Sequence, residues 1–333
     1  MVKRILASGG ISIGIGLMIC WMPGTAAAQQ PAVSKPGWTH PKTPWGEPDL
    51  QGIWPLNHLI GTPFQRPERF GERRLLTDEE FAAAQKNVEN RNRRFESGAI
   101  PQADSGDATR LTSLLIDPPD GRFPELTARG KELYEQMRGS YKPGQTVFDR
   151  PEDFDSWDRC ITRGLPVSML PRNYNNGIRI MQSPGYVVIL LEMAHEARII
   201  PTGGRPALDP SIKQYLGESR GRWDGNTLIV ETANFNGKTA MTNAGVPGSP
   251  PLNPSTGNMR FVERFTRTGD DTIEYQMTVE DRELLTTGSW SAAFPLKLDN
   301  DYLMFEYACH EGNTAIRNYI ETSRYERAQK AGK

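Results

Sequence analysis

The stretch Gly221-Arg222-Trp223-Asp224-Gly225-Asn226-Thr227-Leu228-Ile229-Val230 predicts more about the fold than any other part of the chain. Asp224 and Gly225 are turn residues, and the runs on either side contain aromatic, aliphatic and β-branched residues. An Asp-Gly pair between two such runs is a strong signal for a hairpin with a type I′ turn. We therefore expect two antiparallel strands joined by a tight connection here.

The hairpin belongs to a longer series of short runs with strand character, which begins at about residue 157. Tight turns such as Ser183-Pro184-Gly185 and Thr268-Gly269-Asp270-Asp271 separate these runs. Closely spaced strands joined in this way are typical of an antiparallel meander. The predicted fold class is mainly β, with an antiparallel β-barrel or lipocalin-like calyx over residues 157–333. The strands are expected at 178–182, 186–193, 197–201, 221–223, 227–232, 259–266, 272–279, 290–294 and 302–308.

Residues 29–156 have a different composition. Pro, Gly and Trp are dense over 29–64, which disfavours helix and central strand and indicates a strap that lies on the main domain. Thr77 with Glu80 forms a capping-box pattern, which predicts a helix to about Phe95, and a second helix is expected from Thr127 to Gly139. The long Gly/Pro/Asn/Ser-rich stretch 240–258 is expected to be a loop, either a binding loop or a surface excursion.

Residues 1–28 have the pattern of a secretory signal peptide. Lys3 and Arg4 precede an apolar segment, and Ala26-Ala27-Ala28 offers small residues for cleavage. This pattern predicts a periplasmic or secreted location. The alternative is that the segment is retained as a membrane anchor. The formal net charge of −1 gives no electrostatic footprint for nucleic acid or for an anionic membrane.

Cleavage at this point would leave two of the three cysteines, Cys160 and Cys309. An oxidising compartment favours a disulfide between them. Two buried thiols, or one nucleophilic cysteine, are the alternatives. Direct activation of Cys309 by His310 is disfavoured, because adjacent residues of a strand point to opposite faces.

Two His-Glu groupings are the candidate catalytic residues in a chain with only four histidines. One is His310 with Glu311, in Glu306-Tyr307-Ala308-Cys309-His310-Glu311-Gly312-Asn313; the other is His195 with Glu192. Imidazole suits proton transfer near neutral pH, and a neighbouring carboxylate can orient it or share the proton. Arg198 is the candidate for stabilising developing negative charge. The alternative is that each histidine caps a strand end.

Other chemistries lack their motifs. The histidine spacing matches neither a His-Glu-x-x-His helix nor a facial triad, so no metal site is predicted. No Gly-x-Ser-x-Gly elbow, phosphate loop or Gly-x-Gly-x-x-Gly occurs in the sequence, and no cofactor is expected.

Several motifs together resemble those of a large, mostly uncharacterised family of exported bacterial proteins. Some members of that family are linked to the degradation of aromatic or lignin-derived compounds, including aryl ethers, and the resemblance implies a substrate of that class. The chain departs from the family pattern at Met259-Arg260, where a histidine is expected before Val-Glu-Arg-Phe. The motifs are Pro44-Trp45-Gly46-Glu47-Pro48-Asp49-Leu50-Gln51-Gly52-Ile53-Trp54, Arg159-Cys160-Ile161-Thr162-Arg163-Gly164-Leu165-Pro166, Arg198-Ile199-Ile200-Pro201, the hairpin 221–230, and the segment 306–313.

Together these features predict a cofactor-independent hydrolase or lyase that cleaves an ether or ester bond in a small, aromatic substrate by His/Glu acid-base chemistry. A non-catalytic binding protein for a hydrophobic or aromatic ligand is the alternative, and a structural protein of the cell envelope is the third.

Overall fold

The structure is a computed structural model that describes residues 37–99, 105–243 and 245–332. Ten strands of the described residues form two sheets, in which every neighbouring pair is antiparallel. The four-stranded sheet has the order β1-β3-β4-β5, with β1 Gly52–Ile53, β3 Ile178–Ser183, β4 Tyr186–Leu191 and β5 Ala197–Pro201. The six-stranded sheet has the order β2-β10-β9-β8-β7-β6, with β2 Leu115–Asp117, β10 Ser289–Lys297, β9 Thr272–Glu280, β8 Arg260–Arg267, β7 Thr227–Ala233 and β6 Glu218–Asp224.

The mainly β fold class is confirmed, but the predicted barrel or calyx is wrong, because the described strands do not close. β5 and β6 lie beside each other without backbone pairing. Gly221 of β6 instead meets side chains of β5 and the residue after it: a Cβ there would lie 3.0 Å from Ile200 Cγ2 and 2.9 Å from Thr202 Cγ2. Large residues, among them Trp290, also fill one continuous buried apolar core that draws on both sheets.

The predicted hairpin is present as β6 and β7, with Asp224 opposite Thr227. Its turn differs from the prediction. Of the two central residues, Gly225 has φ 58°, whereas Asn226 is not in the positive-φ region. A positive φ at the first position alone is the pattern of a type II′ turn, since type I′ needs it at both.

In the described part of the chain three α-helices lie outside the sheets: α1 Asp78–Glu96, α2 Ala128–Gln136 and α3 Ala315–Ala331. The capping box that predicts α1 is present, with Thr77 Oγ1 accepting from Glu80 N at 3.3 Å and Glu80 Oε2 accepting from Thr77 N at 2.8 Å. α2 ends three residues before Gly139. No part of the sequence pattern predicted α3. Among the described residues, no helix is both long and apolar enough to cross a bilayer.

Two short strands from the first half of the chain, β1 and β2, pair with β3 and β10 of the second half. The described residues all fall within one compact unit, Val33–Lys333. The predicted signal peptide, residues 1–28, lies outside the described residues. The predicted strap contributes the fully buried Trp54, and the Trp38 indole donates to Asp270 Oδ1 at 2.8 Å.

The segment 302–308 is not a strand, contrary to the prediction. Side chains, rather than a neighbouring strand, bond to this segment: Phe305 N donates to Glu192 Oε1 at 2.9 Å. The apolar and aromatic run that suggested a strand is not packed as one, because Leu303 and Phe305 face solvent, at 70% and 66% exposed, and Met304 between them is half-buried.

A buried ion pair joins the two sheets. Arg198 of β5 and Glu263 of β8 have side chains 2% and 0% exposed, and Arg198 Nη1 lies 2.9 Å from Glu263 Oε1. Tyr275 donates its hydroxyl to the same carboxylate at 2.8 Å, and Arg198 Nη2 donates to Ser219 Oγ at 3.1 Å. These added hydrogen bonds offset part of the cost of removing both charges from water.

Replacing one member of this pair should be strongly destabilising. Arg198→Met leaves Glu263 buried without its counter-ion, so we expect the free energy of unfolding to fall by about 3–5 kcal/mol in urea denaturation. The matched control is Arg260→Met, because Arg260 pairs with Glu231 at 3.2 Å where both side chains are about half exposed. That loss should stay below about 1 kcal/mol. Equal losses in the two variants would contradict this account of the sheet junction.

Candidate functional site

The predicted disulfide between Cys160 and Cys309 is present, and it links segments 149 residues apart in sequence. It joins the loop that contains Cys160 to the irregular segment after β10, which contains Cys309. An open cleft of about 760 Å³ lies where the two segments meet, and both cysteines line it.

One side of the cleft is aromatic. Trp157 and Tyr307 have ring centroids 5.5 Å apart, and Tyr307 and Tyr174 lie nearly parallel at 6.4 Å. Tyr141 and Tyr319 also line the cleft. The disulfide explains this arrangement, because Trp157 lies three residues before Cys160 and Tyr307 two residues before Cys309.

The charged side chains of the described residues that line the cleft are acidic. Asp158, Glu306 and Glu311 line the cleft, and within the described part of the chain no Lys, Arg or His does so. Asp158 is fixed against the loop after α2, since its carboxylate accepts from Ser140 N at 2.7 Å and from Ser140 Oγ at 2.6 Å.

Two buried arginines lie behind the aromatic side. The Arg163 guanidinium stacks over the Trp157 ring at 4.4 Å, donates to Asn243 Oδ1 at 2.9 Å and contacts Met193 Sδ at 3.0 Å. Arg172 donates to the carbonyl oxygen of Val167. Within the described residues neither guanidinium lies within 4 Å of a carboxylate. Burial lowers the pKa of Arg163 to about 10, and it lowers the pKa of Arg172 as well.

A pair of aspartates lies next to the same wall. Burial, and then the charge of Asp158, raises the pKa of Asp155 to about 6. The two are close, since Asp155 Oδ1 accepts from Asp158 N at 2.8 Å. A carboxyl group that titrates near neutrality beside a second carboxylate is a common feature of acid-base sites.

Tyr307 is held in its neutral form. Burial, followed by the hydroxyl of Tyr174, raises the pKa of Tyr307. A tyrosine is neutral at pH 7 without such a shift, so the effect of the raised pKa is to keep the Tyr307 hydroxyl protonated at alkaline pH as well.

The sequence-predicted catalytic residues occupy several different places. Glu311 lines the cleft, whereas His310 is exposed in the same loop and does not line it. His195 is exposed, with Nδ1 3.1 Å from the carbonyl oxygen of Tyr307. Arg198 lies between the sheets in its ion pair with Glu263.

Glu192 is buried, and its carboxylate makes hydrogen bonds that hold neighbouring segments together. It is 2% exposed, and its carboxylate accepts from Gly177 N at 2.8 Å, the Tyr302 hydroxyl at 2.7 Å and Phe305 N at 2.9 Å. These bonds hold the segment after β10 against the β4–β5 connection, where Ala194 and His195 turn the chain with φ values of 60° and 42°. The structure thus brings Glu311 to the cleft and places Glu192 and His195 behind one of its walls.

The sequence interpretation missed Trp157, Asp158 and Asp155, and assigned no role to Tyr307. A usable signal was present, because the predicted disulfide already implied that the residues before Cys160 lie beside those before Cys309. Extending that pairing outward by three residues on each side would have indicated an aromatic and acidic site.

Comparison with protein-family models, curated proteins and solved structures finds no match for this chain. Within residues 37–99, 105–243 and 245–332, no three His, Cys, Asp or Glu side chains come close enough together to hold a metal ion.

The raised pKa of Asp155 predicts a pH dependence of stability. The folded protein binds a proton at Asp155 up to about pH 6, whereas an unfolded aspartate releases it near pH 4, so this residue's contribution to stability is lost as pH rises from 4 through 6. The stability of Asp155→Asn minus that of wild type should therefore be larger at pH 7.5 than at pH 4.5. Urea unfolding of both proteins at both pH values measures this difference.

Asp209→Asn is the control for this measurement. Hydrogen bonds from Ser211 lower the pKa of the exposed Asp209, so its replacement should not produce such a gain. A relative stability of Asp155→Asn that does not change between the two pH values would show that the Asp155 carboxyl is not perturbed.

Proposed function

We propose that the protein binds a small aromatic compound in the cleft beside the disulfide. The observation that carries this proposal is the aromatic wall of Trp157, Tyr174 and Tyr307, which borders an open volume of about 760 Å³. Pockets for small organic molecules commonly measure about 300–1,000 Å³ and are lined by aromatic groups with a few polar ones. Tyrosine hydroxyls and carboxylates supply the polar groups here.

The proposed location is the periplasm or the exterior of the cell. The signal-peptide pattern of residues 1–28 supports it, and the Cys160–Cys309 disulfide is consistent with an oxidising compartment. The resemblance of the motifs to an exported family linked to aromatic degradation supports the same ligand class.

A second candidate function is hydrolysis of the bound compound at an ether or ester bond, with water as the second reactant and without a cofactor. Asp155 and Asp158 favour it, because a carboxyl with a pKa of about 6 can both release and accept a proton near neutral pH. Asp158 lines the cleft and would face the substrate, with Asp155 behind it. Glu311, the predicted catalytic residue that lines the same cleft, would be the partner acid or base.

Calorimetric titration of the purified protein, residues 29–333, with benzyl alcohol, guaiacol and cyclohexanol tests the binding proposal. We expect saturable binding of the two aromatic compounds and at least tenfold weaker binding of cyclohexanol. Tyr307→Leu should weaken aromatic binding by about tenfold, which corresponds to about 1.4 kcal/mol. Tyr325→Leu is the matched control, since Tyr325 is 65% exposed on α3 and does not line the cleft.

Unchanged binding in Tyr307→Leu would place the ligand elsewhere and contradict the proposal. Chromatography of aryl ethers and aryl esters incubated with the same proteins tests the second function. Turnover that is lost in Asp158→Asn and kept in Asp209→Asn would support it, whereas no turnover with intact binding would leave only the binding function.

A further inference from the structure

We propose that the ligand of this cleft is a small organic cation, in particular an aromatic compound that carries a substituted ammonium group. The inference rests on the proposed function, because it specifies the charge of the compound that the same cleft binds.

The first support is the charge of the lining. Asp158, Glu306 and Glu311 face the cleft, and no basic side chain of the described residues lines it. Glu306 and Glu311 are exposed and make no ion pair within 4 Å in the described part of the chain, so their charges are available to a ligand. The hydrogen bonds from Ser140 orient Asp158 but do not neutralise it.

The second support is the aromatic lining itself. The face of a tyrosine or tryptophan ring carries partial negative charge and attracts a cation within about 6 Å of the ring centre. Tyr141 and Tyr319 are 52% and 43% exposed, so their rings are accessible from the cleft. Aromatic faces combined with carboxylates are the usual surroundings of a bound substituted ammonium group.

The buried arginines behind the aromatic side carry the opposite charge to the lining carboxylates. Arg163 does not line the cleft: it stacks on Trp157, which does, so the indole is the group that a ligand would meet. Both arginines also have buried or nearby acidic neighbours. Glu196 accepts from Arg163 N at 3.2 Å and its charge raises the pKa of Arg172, while Asp155 acts in the same direction on Arg163. The Trp157 indole separates the Arg163 guanidinium from the cleft, so the charged groups that a ligand meets there are the lining carboxylates.

Three probes that share a benzyl or phenyl group separate the possibilities: benzyltrimethylammonium, benzyl alcohol and benzoate. In calorimetric titrations at fixed ionic strength, we expect benzyltrimethylammonium to bind at least tenfold more tightly than benzyl alcohol, and benzoate to bind most weakly. Added NaCl should weaken binding of the cation and leave that of benzyl alcohol nearly unchanged.

The double variant Glu306→Gln/Glu311→Gln should lose most of the preference for the cation while its affinity for benzyl alcohol is kept. Glu79→Gln, an exposed change in the first turn of α1, is the control and should behave like wild type. Equal binding of the three probes, a preference for benzoate, or a cation preference that survives the double variant would overturn the charge inference and leave the proposed function standing. Binding of none of the three would overturn both.

Discussion

The ion pair between Arg198 and Glu263 is the interaction on which the rest of this structure depends. It lies between the two sheets, out of contact with solvent, and it fixes β5 against β6, β7 and β8 through the added bonds to Ser219 and Thr232. The sheets share no backbone ladder there, so side chains alone set their separation and angle at that junction. A buried charge pair tolerates little displacement, because each charge is costly without the other.

The position of β5 then determines the position of the site. β4 and β5 are joined by a short connection that carries Glu192, Met193 and Glu196. Glu192 anchors the segment after β10 through Tyr302 and Phe305, Met193 contacts Arg163, and Glu196 accepts from Arg163 N. The disulfide adds a covalent link between the segment after β10 and the loop that contains Cys160. The cleft is therefore defined by several independent contacts, which is the kind of support that preorganised binding sites require.

Much of the fold follows from local patterns in the sequence. β8 and β9 alternate in burial as their sequences alternate, the Asp-Gly hairpin is present, and the capping box begins α1 where Thr77 and Glu80 predict it. These features depend on neighbouring residues alone. The exception on β8 is Glu263, which occupies a core-facing position, and only the position of Arg198 in three dimensions explains it.

The remaining features depend on contacts between distant segments, which a single sequence does not reveal. β5 and β6 lie beside each other without backbone pairing, which no local pattern in the sequence indicates, and the segment 302–308 has the apolar and aromatic composition of a strand although it is irregular. α3 lacks both usual signals, since Thr314 makes no side-chain cap and Ser323 is its one buried residue. The disulfide was predicted from compartment and cysteine number, yet the aromatic and acidic cleft beside it was not. The signal peptide and the family resemblance stay predictions.

The central claim is that small aromatic compounds bind between the two segments joined by Cys160 and Cys309. Fluorine NMR of protein labelled with 3-fluorotyrosine tests this directly, because the ten tyrosines include several on the cleft wall and others far from it. Resonances would be assigned with single Tyr→Phe variants. On titration with benzyl alcohol, the signals of Tyr174 and Tyr307 should shift in a saturable way, while those of Tyr275 in the core and Tyr325 on α3 should not. Saturable shifts confined to tyrosines outside the cleft, or no shifts at all, would contradict the account.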